Sequence, residues 1–207
     1  TYNVCYLTKH LGDSYETLLL AGQEDTSEGS SLYVAKSMGL SPRLIPSMQR
    51  SINLFRDRKA YLEIRKIIRE FKPHIVHTHA AKAGAIGRYA AYKENVPVIL
   101  HTYHGHVFHS YFGKIKTTFF LLIERFLGRK SNALIAISPL QKQELSSVFR
   151  IAPSSKFRVV PLGFDLDRFF TNMDNKRLSF RKEWEVAEDV FALALIGRLV
   201  PVKDHTF

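Results

Sequence analysis

Sulfur is almost missing from this sequence. One cysteine, Cys5, stands in 207 residues. No disulfide can form within the chain, a pattern that favours a reducing compartment, and Cys5 itself is expected to be a small buried apolar residue. Long apolar runs are missing too. The longest, Val190 to Ile196, and the run from Phe119 to Ile123 both fall far short of the roughly 18–20 residues a bilayer-spanning helix needs. No secretory leader opens the chain, but Thr1 is not expected to be the natural start, so that absence excludes nothing. Acidic residues are scarce: 19 Asp and Glu against 30 Lys and Arg, a net charge of +11. Such an excess favours an anionic partner: a phosphate-bearing ligand, an anionic membrane surface or nucleic acid. The interleaved aromatic and basic residues of an RNA-binding surface are not present, so nucleic acid is not expected. Internal repeats and low-complexity tracts are absent.

What is present is an alternation of short apolar strands with amphipathic helices. Helices are expected over Tyr2–Leu11, Tyr33–Met38, Arg56–Phe71, Ala80–Glu94 and Lys114–Leu127, the last ended by Gly128. A further helix is expected from Ser138-Pro139-Leu140-Gln141, a capping box with proline at the first helical position, to about Phe149. Another is expected over Asn175–Trp184. Strands are expected over Tyr15–Ala21, Arg43–Pro46, His74–Thr78, Val96–Tyr103, Asn132–Ile137, Phe157–Val160 and Val190–Ile196. In the long helix, Tyr61, Ile64, Ile67, Ile68 and Phe71 form one stripe. The helix after His79 is rich in Ala and Gly, which allows close packing on a sheet. Strands alternating with helices predict an α/β fold, a Rossmann-like doubly wound parallel sheet with right-handed crossovers. The one domain boundary expected is the stretch from Pro161 to Asn175. It separates a domain of residues 1–165 from the linker and first helix and strand of a second, residues 166–207.

In open parallel sheets, ligands sit beyond the carboxyl ends of the strands. Four segments fall there: His77-Thr78-His79, His104-Gly105-His106, Ser138, and Gly197-Arg198 through Lys203. Gly197 allows backbone to approach a ligand, and Arg198 with Lys203 can converge on a diphosphate. His101, His104, His106 and His109 crowd nine positions. Neutral imidazoles there can hydrogen-bond a sugar hydroxyl or meet developing charge. Strand alternation puts His77 and His79 on one face, which leaves open a metal-dependent hydrolase. Basic helices leave open a membrane-surface binding module: Arg56, Arg58, Lys59, Arg65, Lys66, Arg69 and Lys72 on one, and Lys114, Lys116, Arg125, Arg129 and Lys130 around Phe119–Ile123 on another.

Taken in order, HIVHTHAAKAGAIGRYAA, VILHTYHGHVFH, the glutamate of IER, ALIAISPLQKQEL, FRVVPLGFDLDRF and ALALIGRLVPVKD resemble the retaining glycosyltransferases of the group 1, or family four, class. These stretches run from residue 74 to the end of the chain; the first 73 residues carry no diagnostic motif. The resemblance implies a GT-B fold, with an amino-terminal domain receiving the acceptor and a carboxyl-terminal domain holding a nucleotide sugar. By position, it implies that His104 faces the donor sugar as the catalytic histidine, and that His79, Gly105 and His106 contact acceptor or sugar. Gly197, Arg198 and Lys203 would hold the donor diphosphate, Pro161, Gly163 and Asp165 would form the hinge, and Glu124 would be structural. Leu162 stands where the family usually has Asn. The family's glycine-rich loop would fall ahead of Thr1 and its carboxylate motif beyond Phe207, so the chain is expected to be a fragment, inactive alone.

The implied reaction is transfer of a sugar, from a UDP-sugar at the family level, to a glycan or lipid-linked acceptor with retention of configuration. It needs no metal and no cofactor, the nucleotide sugar being a substrate. The implied location is cytoplasmic, or peripheral on the inner face of a membrane.

Overall fold

Asn53 sets where the longest helix begins. Its side chain accepts from the Arg56 N–H at 3.0 Å, while its own N–H donates to Asp57 Oδ2 at 3.1 Å, so two donors that the helix start would orphan are satisfied. The helix therefore starts at Leu54, two residues ahead of expectation, and runs to Phe71. It is closed by Lys72 in the left-handed region at φ +50° with Pro73 behind it. Of its expected stripe, Ile64, Ile67 and Ile68 are buried, together with Ala60, while Tyr61 and Phe71 are half-buried.

The computed structural model describes residues 1–12, 14–23, 32–105, 113–194 and 197. In chain order the elements are α1 (Tyr2–His10), β1 (Leu20–Gly22), α2 (Leu32–Ser37), β2 (Arg43–Ile45), α3 (Leu54–Phe71), β3 (Ile75–His79), α4 (Ala81–Lys93), β4 (Val98–Tyr103), α5 (Lys114–Lys130), β5 (Ala133–Ala136), α6 (Pro139–Gln143), β6 (Phe157–Val159), α7 (Asp167–Phe170) and α8 (Met173–Glu183). β3, β4, β5 and β6 form a four-stranded sheet in sequence order, and β1 and β2 pair separately. Every pairing is parallel, with Thr78 opposite His101 and His79 opposite Thr102. The fold is the expected α/β, Rossmann-like arrangement of parallel strands with helical crossovers.

Three buried clusters lie in the first unit, two of them large. Ile45, Ile64, Ile67, Ala90 and Ile99 belong to one, joining β2, α3, α4 and β4. Leu134, Ala136, Leu145, Ile151 and Phe157 belong to the other, joining β5 and β6 to the segment after α6. Cys5 is buried between α1 and α2 with Val34 and Ala35, as a small apolar residue.

Some expectations fail for local reasons. The strand expected from Tyr15 is only Leu20–Gly22, because its partner offers three residues to pair with. Gly128 does not end α5. It lies inside the helix, where a Cβ would come within 3.0 Å of the Ile151 carbonyl, so the glycine serves a close approach. The helix after Ser138 stops being α-helical at Gln143 and continues as a π-turn over Glu144–Val148. Ser138 caps as expected, its Oγ accepting from the Gln141 N–H at 3.1 Å, but Gln141 reaches back to the Ile137 N–H instead of closing the box on Ser138.

The chain divides into two compact units, Thr1–Gly163 and Phe164–Phe207. The second carries α7 and α8. The strand expected over Val190–Ile196 is not seen in its described part: Val190 to Ala194 are exposed and without strand structure. No other strand of this unit is among the described residues to pair with it, and a lone strand has no ladder to join.

Candidate active site

The carboxyl ends of β3 and β4 carry the histidines. Strand alternation and register sort them onto two faces. Thr78 and His101 point toward α4, whose small residues admit them. A Cβ at Gly84 would lie 2.4 Å from His101 Cε1, and one at Gly87 would lie 2.9 Å from Thr78 Cγ2. The expected close packing of the Ala- and Gly-rich helix is thus made against these two side chains. The Thr78 hydroxyl donates to the Leu100 carbonyl at 3.2 Å and so accepts from His101 Nδ1 at 2.9 Å. That network assigns the His101 proton to Nδ1. Burial, with the Arg88 charge beside it, holds the His101 pKa well below its ordinary value.

His77 and His79 lie on the other face with Thr102. His77 Nε2 is 2.8 Å from the Thr102 hydroxyl. The His77 and His79 rings are 4.3 Å apart between centroids. His79 Nδ1 in turn meets His104 Nε2 at 3.0 Å, with the two rings stacked. Such a contact needs one nitrogen protonated and the other bare, so the pair shares a single proton. Burial lowers His77 to about 4. Burial, followed by the neighbouring imidazoles, lowers His79 to about 3. His104 is lowered as well, by partial desolvation, although its ring stands at the exposed end of the group. At neutral pH the cluster is a set of uncharged imidazoles, with His104 facing outward.

Two backbone positions aim this cluster. Ala80, between His79 and α4, sits at φ +62° and ψ 161°, a region essentially reserved for glycine and costing about 1–3 kcal/mol for other residues. Gly105, directly after His104, has φ +155°, a backbone conformation that favours glycine, and no described residue lies within 4 Å of where a Cβ would be.

Beneath β4 lies an ion pair that the sequence did not announce. Arg88 of α4 is 1 % exposed, and its Nη2 donates to both carboxylate oxygens of Glu124 in α5, at 2.7 and 2.9 Å. Burial opposes the guanidinium charge, but the Glu124 carboxylate outweighs it and raises the Arg88 pKa. The Tyr103 hydroxyl, from the residue before His104, donates to Glu124 Oε2 at 2.7 Å. Glu124 is thus the centre of a bridge joining α4, α5 and the end of β4. The family resemblance pointed to Glu124; its partner Arg88 carried no signal, because an arginine within GAIGRYAA reads as a surface charge on an otherwise small-residue helix.

The other candidates are placed as follows. Pro161, Gly163 and Asp165 lie exposed in the segment without regular structure between β6 and α7. Gly197 is exposed and outside any regular element. His106, Arg198 and Lys203 lie outside the described residues, as does His109. Among the described residues, no group of three or more His, Cys, Asp or Glu side chains is arranged to hold a metal ion. The His77 and His79 pair is instead engaged by Thr102 and His104.

The fold has close counterparts among solved structures. A glycosyltransferase from Rickettsia africae superposes with a TM-score of 0.62 over 91% of this chain and 45% of its own, at 21% identity. A UDP-GlcNAc 2-epimerase from Neisseria meningitidis, bound to UDP-GlcNAc, gives 0.60 over 90% and 51%, at 13% identity. These likenesses define the class by fold: a Rossmann-like α/β domain of the kind found in GT-B proteins. The sequence carries the assignment further. Residues 4–168 match the family described as Glycosyltransferase Family 4, and the chain belongs to that family. It is 31% identical over 163 residues to the Escherichia coli UDP-Gal:alpha-D-GlcNAc-diphosphoundecaprenol alpha-1,3-galactosyltransferase, covering 79% of this chain and 42% of the relative. It is 29% identical over 160 residues to the Staphylococcus aureus capsular polysaccharide biosynthesis glycosyltransferase CapM, covering 75% and 41%. The chain therefore spans about two fifths of the length of these curated relatives.

Proposed function

We propose that this chain is the acceptor-side part of an enzyme that moves a sugar from a nucleotide-sugar donor, a UDP-sugar, to a glycan or lipid-linked acceptor with retention of configuration. Membership of Glycosyltransferase Family 4 supports the reaction class. The names of the two relatives support the substrates: one takes UDP-Gal and a diphosphoundecaprenol-linked sugar, and the other serves capsular polysaccharide biosynthesis. The observation that carries the reading is the His79–His104 pair at the carboxyl edge of a parallel sheet, where such folds bind ligands.

In this reading His104 is the catalytic group. As a neutral imidazole it hydrogen-bonds the donor sugar and orients it without adding a charge that would compete with the diphosphate. His79 fixes the His104 ring, and His79, Gly105 and His106 line the acceptor side. Gly197 lets the backbone approach the donor, and Arg198 and Lys203 neutralise the charge that builds on the leaving nucleoside diphosphate as the glycosidic bond breaks. These cations do so without a metal ion or other cofactor. The segment of Pro161, Gly163 and Asp165 is the hinge between residues 1–165 and a nucleotide-sugar-binding domain beginning at 166. Closure about it would exclude water that would otherwise hydrolyse the donor. The reaction takes place on the cytoplasmic side of the membrane.

The cationic loop gives the first test. In the full-length protein, Arg198→Ala is expected to lower turnover from UDP-sugars about 10²-fold or more, the scale of losing one preorganised charge-stabilising donor. The circular dichroism spectrum should not change. Unchanged turnover would remove Arg198 from the donor site.

A further inference from the structure

Strand pairing stops short of His104. The ladder of β4 with β3 ends at Thr102, opposite His79, and its ladder with β5 ends at Tyr103, opposite Ala136. His104 lies beyond the last pair on both sides. Gly105 follows it at φ +155°, where the backbone is least restrained by a side chain. Neither the sheet nor the turn therefore fixes the residue whose ring meets His79.

Tyr103 is the last anchored residue before it. Strand alternation sends its side chain to the face of His101, away from His104 and Thr102. There the phenol ring is buried, 4.5 Å from the His101 ring and 6.4 Å from the Phe157 ring between centroids. Its hydroxyl donates to Glu124 Oε2 at 2.7 Å. Glu124 is held in turn, because Arg88 Nη2 donates to both of its oxygens. Arg88 is itself fixed to its own helix, its Nε donating to the Gly84 carbonyl at 3.0 Å. That helix, α4, begins at Ala81, two residues after His79. One carboxylate thus grips both the strand end that precedes His104 and the helix that follows His79.

Apolar packing alone does not call for this bridge. A phenylalanine at 103 would meet His101 and Phe157 in the same way, and apolar neighbours would avoid the cost of burying two charges. What the bridge adds is direction. A hydrogen bond sets distance and angle together, whereas contact between apolar surfaces does not. The residue next to it carries the imidazole that stands 3.0 Å from His79.

We infer that Tyr103, through its hydroxyl bond to Glu124, is a positioning residue for His104: it pins the end of β4 so that His104 Nε2 stays on His79 Nδ1. Its effect on rate rests on the reading of His104 as the catalytic group; its effect on the ring does not, and the two are measured separately.

The test is Tyr103→Phe in the full-length protein, which removes one oxygen and leaves the Arg88–Glu124 pair in place. Ile67→Val is the control, because it removes a methyl from the other large buried cluster. The His104 titration is followed by NMR in protein carrying ¹³C-labelled histidine, with His104→Gln assigning the signal. In the wild type its midpoint lies below the ordinary 6.5, because the ring is partly desolvated. In Tyr103→Phe the ring is released toward water, and the midpoint should rise toward 6.5. Turnover from a UDP-sugar should fall at least about tenfold with the donor KM within about twofold, the mark of lost orientation at the reacting centre. Ile67→Val should change neither. An unmoved His104 midpoint in Tyr103→Phe would overturn the inference, and so would an equal move in Ile67→Val, which would trace to general loosening. A moved midpoint with unchanged turnover would uphold the positioning and remove instead the catalytic reading of His104.

Discussion

At the residue scale, the histidines tie stability to pH with a definite sign. His77 and His79 fold as neutral groups, with pKa values lowered to about 4 and about 3, whereas in the unfolded chain they titrate near the ordinary 6.5. Below that value the unfolded state binds more protons than the folded one, so stability falls as pH falls. The loss continues until His77 protonates near 4 and His79 near 3, at a limiting slope of about 1.4 kcal/mol per pH unit for each group. The urea midpoint should therefore drop between pH 7 and 5, and His77→Gln should flatten that dependence; an unchanged slope would mean that His77 is not buried neutral. Gly84 gives an independent check on the same packing. Gly84→Ala would bring a methyl to 2.4 Å of the His101 ring, and overpacking of this kind costs about 1–3 kcal/mol, readable by thermal or urea unfolding. If Gly84→Ala were neutral, α4 would not lie against His101 as described. The sequence showed that these histidines sit at strand ends, because strand period and the residues after each strand are local signals. It could not show that His79 bonds His104, since that contact spans 25 residues and depends on the parallel register of β3 and β4.

At the scale of elements, the Arg88–Glu124–Tyr103 bridge does for α4, α5 and β4 what apolar packing does elsewhere in the core. A buried ion pair gains little over apolar neighbours of the same shape, but breaking one half leaves a charge without compensation. Glu124→Gln is expected to cost about 3–5 kcal/mol in unfolding free energy, and Arg88→Met a similar amount, whereas the double variant should cost less than the sum of the two. Additive single effects in the double-mutant cycle would contradict the pairing. Element types were legible from periodicity and punctuation: the α3 stripe, Pro139 at the start of α6, and the Gly-rich face of α4 all stand where the sequence put them. Ends were less legible. Gly128 reads as a stop but is a packing notch against Ile151, and Asn53 starts α3 earlier than its apolar stripe does. The π-turn after α6 was not legible; Leu145 within it and Phe149 after it belong to the buried cluster around Phe157, a tertiary setting that local periodicity does not report.

At the scale of the whole molecule, the basic excess divides into local jobs. Arg88 is consumed by Glu124, Arg65 by Glu94, Lys82 by Asp57 and Arg125 by the Phe149 carbonyl, while Lys116, Arg129 and Lys130 of α5 remain exposed. The order of motifs from residue 74 onward made the family legible, because His77–His79, His104 and Ser138 each follow or end a strand that local pattern reveals. The strand expected over Val190–Ile196 was not legible in the same way: an apolar run becomes a strand only beside another strand, and none is described in that unit. In the proposed reaction the imidazole edge of the sheet works on the sugar being transferred. The measurement that tests it most directly is the rate at which the full-length protein transfers sugar from a UDP-sugar, compared between wild type and His104→Ala at matched folding stability. The account predicts a rate lower by about 10²-fold, the cost of losing a positioned group at the reacting centre. Transfer at the wild-type rate would contradict it.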